Sequence, residues 1–386
     1  MINLPNFKKS KTIEAPKDET FLGVLLNDFD ISVFLYSKTT GQEKPTIIFE
    51  KTILFDFELT SQKICEEQVI EKIRKILTGM YELHNIQNRD VVIAIGEKFI
   101  KSTTTTVRLK REKQEEKITE SEIEDITQKI VNKVKNDFEL EHANTQFELL
   151  NYNLTHSKID GYLTRNLVNM RGSTLDVSLF SAFCKTDTIK EITDFCRLLK
   201  LKLITITSHL YILEKLLRNI EYENYSIILI KDGTSDLGIV FGEDLAYTMS
   251  IKMGYFTFLN FLRETSNLSF EEIQQFLSKE IINEKLTESS REINTIYSAN
   301  LVKNLQKNDK INTYPSTIII VSKDSEILDL NLLKETYKQL NLNAEPNIVK
   351  IENHNLEYVE NYSDIKNEYL ALSVALCMFY FEIKNI

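Results

Sequence analysis

The hydrophobic positions of this chain fall into two similar successions of strands and helices. From Thr20 the text is apolar and β-branched, FLGVLLNDFDISVFLYS and then TIIFEKTILFDF, which predicts two strands about a turn at Asn27-Asp28 and a third beyond Gly41 and Pro45. Ile64, Val69, Ile70, Ile73, Ile76 and Leu77 carry helical spacing over 64–81. Residues 90–96, DVVIAIG, form an unbroken apolar run, the mark of a strand covered on both faces. The succession resumes downstream. A helix over 209–220 precedes the strand YSIILI (225–230), the turn KDGTSD, the strand LGIVF, a turn at 242–244 and the strand LAYTMSI. Helices follow at 255–265, 269–284 and 289–305, then the apolar strand 316–322, a helix over 331–341, an irregular stretch through Pro346, and an apolar helix over 367–381.

Between the two successions lies a different text. The charge run RLKREKQEEK (108–117) marks a boundary, and Thr119 followed by Glu122 has the spacing of a helix capping box, with the helix running to about Lys135. Strands at 147–154, 159–165 and 174–183, a helix over 188–199 and the strand KLITIT (202–207) read as a small inserted α/β unit. The class is therefore α/β with mixed sheets.

Composition narrows the functions. A chain of 386 residues with 42% hydrophobic and 27% charged residues is globular and long enough to bury a large core. Only 10 glycines occur, against about 27 at average usage, so an architecture with several glycine-rich phosphate loops is disfavoured. The net charge of -10 argues against nucleic-acid partners. The four cysteines stand far apart in apolar contexts and the five histidines lack ligand spacing, so neither a metal site nor a disulfide framework is expected, and a reduced cytoplasm fits. The run Tyr369–Phe381 is too short to span a bilayer and reads as a core helix. Residues 1–18 read as a flexible head whose Lys8, Lys9 and Lys11 give little lipid binding by themselves. His209, before a helix, reads as a cap or a partly buried ring.

Ile227–Asp236, IILIKDGTSD, followed by a strand, the turn at Gly242 and Met253-Gly254-Tyr255-Phe256-Thr257, resembles the second phosphate segment of the actin-like ATPase superfamily. Ile159-Asp160-Gly161 and Asn166–Gly172 (NLVNMRG) resemble a segment of the inserted subdomain in its FtsA/PilM group of bacterial division and pilus-assembly proteins. The resemblance covers roughly 20–382. It implies a two-lobed actin-like (ribonuclease-H-like) fold. Residues 19–108 and the return 207–224 would form the first lobe, 109–206 the inserted subdomain, 225–366 the second lobe and 367–386 a core helix. It also implies ATP as the candidate cofactor, held by Asn27, Asp28, Gly233, Thr234, Ser235, Asp236, Gly254 and Thr257, and an interaction region at Asp160, Gly161, Met170 and Arg171.

The departures from the family pattern are chemical. Leu25 and Leu229 stand at two acidic positions, Asn27 replaces a glycine, Lys231 and Asp232 replace two more, and Ser322 and Lys323 stand where a Gly-Gly wraps adenosine. Glu272 matches a family Glu, but Gln275 takes the place of its Lys. A phosphate cradle needs close backbone N–H groups, often with positive φ that glycine gives at little cost, and a metal-bound triphosphate needs carboxylates at strand ends. We therefore expect a degenerate nucleotide site, no catalysis and no required cofactor. The expected role is an FtsA-like scaffold in cell division, cytoplasmic or peripheral at the inner membrane face. It would self-associate into filaments and bind an FtsZ-like partner or a membrane protein's cytoplasmic peptide. A PilM-like adaptor in pilus or secretion assembly, and an active actin-fold ATPase or sugar kinase, are the alternatives.

Overall fold

The computed structural model describes residues 19–384 apart from 40–41, 43, 165, 219–221, 243, 280–282, 308–313, 323–326, 341–344 and 352–369. The head at 1–18, Lys323 and residues 367–369 thus lie outside the described residues.

Two five-stranded sheets share one topology. In the first, β3 (Thr46–Leu54), β2 (Asp30–Lys38), β1 (Glu19–Leu26), β4 (Asp90–Ile95) and β9 (Lys202–Ser208) lie in that order. In the second the order is β12 (Asp244–Ile251), β11 (Ser235–Phe241), β10 (Asn224–Ile230), β13 (Thr317–Ser322) and β14 (Asn347–Lys350). Each begins as an antiparallel meander, β1-β2-β3 or β10-β11-β12, and adds two parallel strands on the far side of its first strand. The central parallel strands β4 and β13 are apolar runs of the sequence, because crossover connections cover both of their faces.

Helices α4 (His209–Leu217) and α9 (Leu370–Lys384) pack on each other. Helix α9 lies on β1 and β4, and α4 on β11 and β12, so the pair is layered between the sheets. The alternation along β10 matches this layering. Ile227 and Leu229 join the core shared with α4 and α9, while Ile228 and Ile230 join the core of α5 (Tyr255–Ser266) and α7 (Glu284–Gln306) on the opposite face. Gly23 admits α9: a methyl there would lie 2.7 Å from Leu376 and from the Tyr36 ring, whose hydroxyl donates to the Ser373 carbonyl at 2.8 Å. The C-terminal helix thus belongs to the core of the first lobe.

The inserted sheet has the order β5 (Ile100–Lys110), β8 (Thr174–Lys185), β6 (Phe147–Ile159), β7 (Tyr162–Thr164), backed by α2 (Glu120–Glu141). It spans 100–185 instead of 109–206. Strand β5 was not predicted, and KLITIT, expected in the insert, is β9, paired in parallel with β4 of the first lobe. Helix α3 (Thr186–Leu198) leads back and packs on β9, which is why its helix-strand succession had the look of part of the insert. Thr119 caps α2 by accepting from Glu122 N–H, but the Glu122 carboxylate turns to Arg111 (2.7 and 2.9 Å), so the box is only half formed. Helices also differ in extent: α2 runs to Glu141 instead of about Lys135, and Phe270–Leu277 (α6) and Glu284–Gln306 stand for 269–284 and 289–305.

Candidate functional site at the lobe seam

The equivalent hairpin turns of the two lobes, β1-β2 and β10-β11, meet face to face. Asn27 shapes the first turn: its N–H donates to the Asp30 carbonyl at 3.0 Å and its amide to the Asp30 carboxylate at 2.7 Å. Asp28 then points across the seam. Its Oδ2 accepts from the Thr234 hydroxyl of the second turn at 2.6 Å, and its Oδ1 pairs with the Lys98 ammonium at 2.6 Å. Phe29 meets Phe256 of α5 edge to face, with ring centroids 5.3 Å apart. Gly233 sits against this contact. A methyl on it would lie 2.7 Å from the Phe29 ring and 3.0 Å from Asp28 Cβ.

Beneath the turns runs a buried charge cluster. Lys231, 1% exposed, places Nζ 2.6 Å from Asp236 Oδ2. The same carboxylate accepts from the Ser250 hydroxyl (2.7 Å) within its own lobe and from the Glu97 N–H (3.1 Å) of the other. Gly96 makes room, since a methyl there would overlap the Lys231 ammonium. Burial opposes charge on Lys231, but Asp236, Asp28 and Glu97 outweigh it and hold its pKa above the ordinary value. Burial likewise raises the Asp28 carboxyl, yet Lys231 and Lys98 bring it down to about 2. Glu97 has no cation of its own. Burial first and the Asp236 charge second push its carboxyl up to about 7. His209, expected as a cap or a partly buried ring, is fully buried. Burial and Lys231 hold its imidazole well below the usual pKa, and the neutral ring donates from Nε2 to the Ala94 carbonyl at 3.2 Å, while Ser208 caps α4.

The remaining predicted residues divide into two groups. Ser235 donates to the Met253 carbonyl at 2.6 Å, and the Gly254 N–H donates to the Thr257 hydroxyl at 3.3 Å, so both brace the second turn. Gly254 has no room for a side chain there, because Lys231 and Gly233–Thr234 backbone atoms close over it. The eight residues expected around a nucleotide are therefore together, at or just behind the two turns. Asp160, Gly161, Met170 and Arg171 are elsewhere, on the insert. Asp160 (φ 49°) and Gly161 (φ 89°) form the β6-β7 turn, and the Asp160 carboxylate is committed to Ser173 and Thr174. Met170 is 43% exposed and Arg171 is exposed. Glu272 caps α6 through Ser269. Leu25 and Leu229 are core residues. Sequence reasoning missed Glu97 and Lys98 and read Lys231 only as a lost glycine. The signal available was a lysine and an aspartate bracketing one turn between apolar strands.

A cavity of about 430 Å³ lies at the mouth of the seam, lined by Asp28, Phe29, Glu58, Lys98, Gly233 and Lys252 among others. Among the described residues no group of three or more His, Cys, Asp or Glu side chains is arranged to hold a metal, and no helix is long and apolar enough to cross a membrane.

No family model matches the sequence, and no curated protein matches it. Solved structures do resemble it. A chain of the PilM–PilN type IV pilus biogenesis complex aligns with a TM-score of 0.59 at 12% identity, covering 92% of this chain and 97% of that one. EutJ, an ethanolamine utilization protein from Carboxydothermus hydrogenoformans, gives 0.46 at 10% identity over 93% and 89%. ADP-bound MreB5 of Spiroplasma citri gives 0.44 at 12% identity over 95% and 97%. The chain thus has the two-lobed actin-like fold, with the inserted sheet.

That fold implies a nucleotide with its phosphates between the two turns, and the residues here do not fit one. A phosphate held by both turns must come between the groups that hold it. Here Thr234 and Asp28 are bonded directly. Below them the Lys231 ammonium is buried against Asp236, so that carboxylate is already paired, and Leu25 and Leu229 are buried in the core.

Proposed function

We propose that this chain is a non-catalytic actin-fold adaptor of the FtsA/PilM kind, working through its protein surfaces without binding or hydrolysing ATP. The observation that carries the reading is the direct Asp28–Thr234 bond between the two turns, over the buried Lys231–Asp236 pair. A fold kept while its two turns are bonded to each other is a fold kept for its surfaces. The partner in this reading is a division protein such as FtsZ, or a short cytoplasmic segment of a membrane protein. The second choice draws support from the PilM–PilN complex among the similar structures. The residues named for interaction, Asp160, Gly161, Met170 and Arg171, lie on the insert, where self-association into filaments would also find them. Peripheral residence at the inner membrane face would follow from the partner.

The test is co-sedimentation and pull-down without nucleotide, using FtsZ and the cytoplasmic segments of membrane proteins encoded beside the gene as prey. Binding that is unchanged by ATP supports the adaptor. Binding that requires ATP, or release of phosphate from ATP at steady turnover, overturns it and favours the actin-fold ATPase.

A further inference from the structure

We propose that Lys231 is a built-in cation that clamps the two lobes shut, so that closure of the seam is a fixed property of the chain. The clamp is independent of which partner the protein binds. Its geometry is that of a shared counter-charge. The ammonium belongs to the second lobe and is paired there with Asp236 at 2.6 Å. The first lobe meets it with the Gly96 backbone, whose missing side chain is what lets the ammonium in, and the Asp28 and Glu97 carboxyls beyond add to the field that favours its charge. The paired carboxylate in turn accepts the Glu97 N–H from across the seam at 3.1 Å. Asp236 is thus bonded to the cation within the second lobe, and Asp28, buried like it, adds its negative charge from the first.

The sign of the interaction across the seam depends on this one charge. With Lys231 in place, each lobe presents a carboxylate to a cation, in a setting where charges are little screened. Without it, the Asp28 carboxylate of the first lobe faces Asp236 of the second, while Lys98 is engaged with Asp28 and Glu58 and Lys252 stands at the cavity mouth. Like charges held close in a dry site repel, and a buried charge stripped of its partner is strongly unfavourable. The lobes are joined at their base by the shared core around α4 and α9, so the expected relief is opening at the turns about that base.

The experiment places nitroxide labels at Glu58→Cys and Lys252→Cys, which line the mouth from opposite lobes, in a Cys65→Ser background, and measures their separation by electron–electron double resonance. The parent protein should give one narrow distance, unmoved by millimolar Mg-ATP. Lys231→Met, which keeps the arm and removes the charge, should lengthen or broaden it while the far-UV dichroism stays native. Should Lys231→Met fail to fold, Lys231→Met/Asp236→Leu decides: it removes the pair together and with it the second lobe's attraction for Asp28, so the distance should again broaden. A narrow, parent-like distance in either folded variant would overturn the clamp and reduce the lysine to an ordinary core ion pair. An adaptor that fails to bind any partner yet opens on loss of Lys231 would refute the proposed function and leave the clamp standing.

Discussion

Replacing Glu97 by Gln removes one carboxylate from the seam while keeping its shape, and its consequence can be worked through pH. Glu97 is 3% exposed, and burial, aided by the Asp236 charge, pushes its carboxyl up to about 7 from an ordinary 4.5. The folded chain therefore keeps this proton where the unfolded chain has lost it. The resulting stability is fully present below pH 4.5 and is lost as pH rises to 7. The interval corresponds to about 3 kcal/mol, at roughly 1.4 kcal/mol per pH unit. His209 acts in the opposite sense. Its imidazole is held well below 6.5 by burial and by Lys231, so it costs stability as pH falls below 6.5, and the two slopes oppose each other between 4.5 and 6.5. Asp28, at about 2, contributes stability that is lost only as pH falls from 3.8 towards 2, outside this window. The difference between wild type and Glu97→Gln isolates Glu97. The chain has no tryptophan, so urea unfolding is best followed by far-UV dichroism, at pH 5 and pH 8. The variant should gain about 2 to 3 kcal/mol on the wild type between the two pH values. An equal difference at both pH values would refute the reasoning and place the Glu97 carboxylate in contact with water or with a cation.

Gly233→Ala should wedge the turns apart. A methyl in a gap of 2.7–3.0 Å costs about 1–3 kcal/mol, partly offset by the roughly 0.4–1 kcal/mol that alanine gains in the unfolded chain. An unchanged urea midpoint would mean the turns do not touch. Met170→Asp with Arg171→Asp should weaken self-association or partner docking in sedimentation at physiological salt, with thermal stability within about 0.5 kcal/mol of wild type, because both side chains are exposed. Because the chain carries a net charge of -10, self-association of the parent should strengthen from low to physiological salt. A strict monomer at every salt and high protein concentration would remove the filament part of the reading.

The main sheets were legible because their central strands are continuous apolar runs: β1, β4, β10 and β13 needed nothing but their own composition. Strand β5 was not, because in KSTTTTVRLK apolar alternation is confined to the last four residues, which lead into what reads as a charge run. Its threonines instead meet polar partners: Thr106 bonds to the Ser178 hydroxyl, and the Thr104 hydroxyl donates to the Ala246 carbonyl of the second lobe. Strand β14 is four residues long and is held by parallel pairing with β13, a partner thirty residues upstream. The insert ended in the wrong place for a similar reason, since only pairing with β4 separates β9 from the strands before it. At the seam, the residues tied to turns (Asn27, Asp28, Gly233–Asp236, Gly254) could be named from local text. Lys231 looked like damage to a glycine turn because its partners Asp28, Gly96 and Glu97 come from the other lobe, more than 130 residues upstream, and no local pattern links them.

Isothermal titration of Mg-ATP into the protein, up to millimolar nucleotide at physiological salt, tests the central claim most directly. With the turns bonded to each other and Lys231 in the space beneath them, the account predicts no binding heat beyond dilution, and the same for ADP. Saturable heat with a micromolar dissociation constant would contradict it, for it would mean that the seam opens at modest cost and that the chain still holds a nucleotide between its lobes.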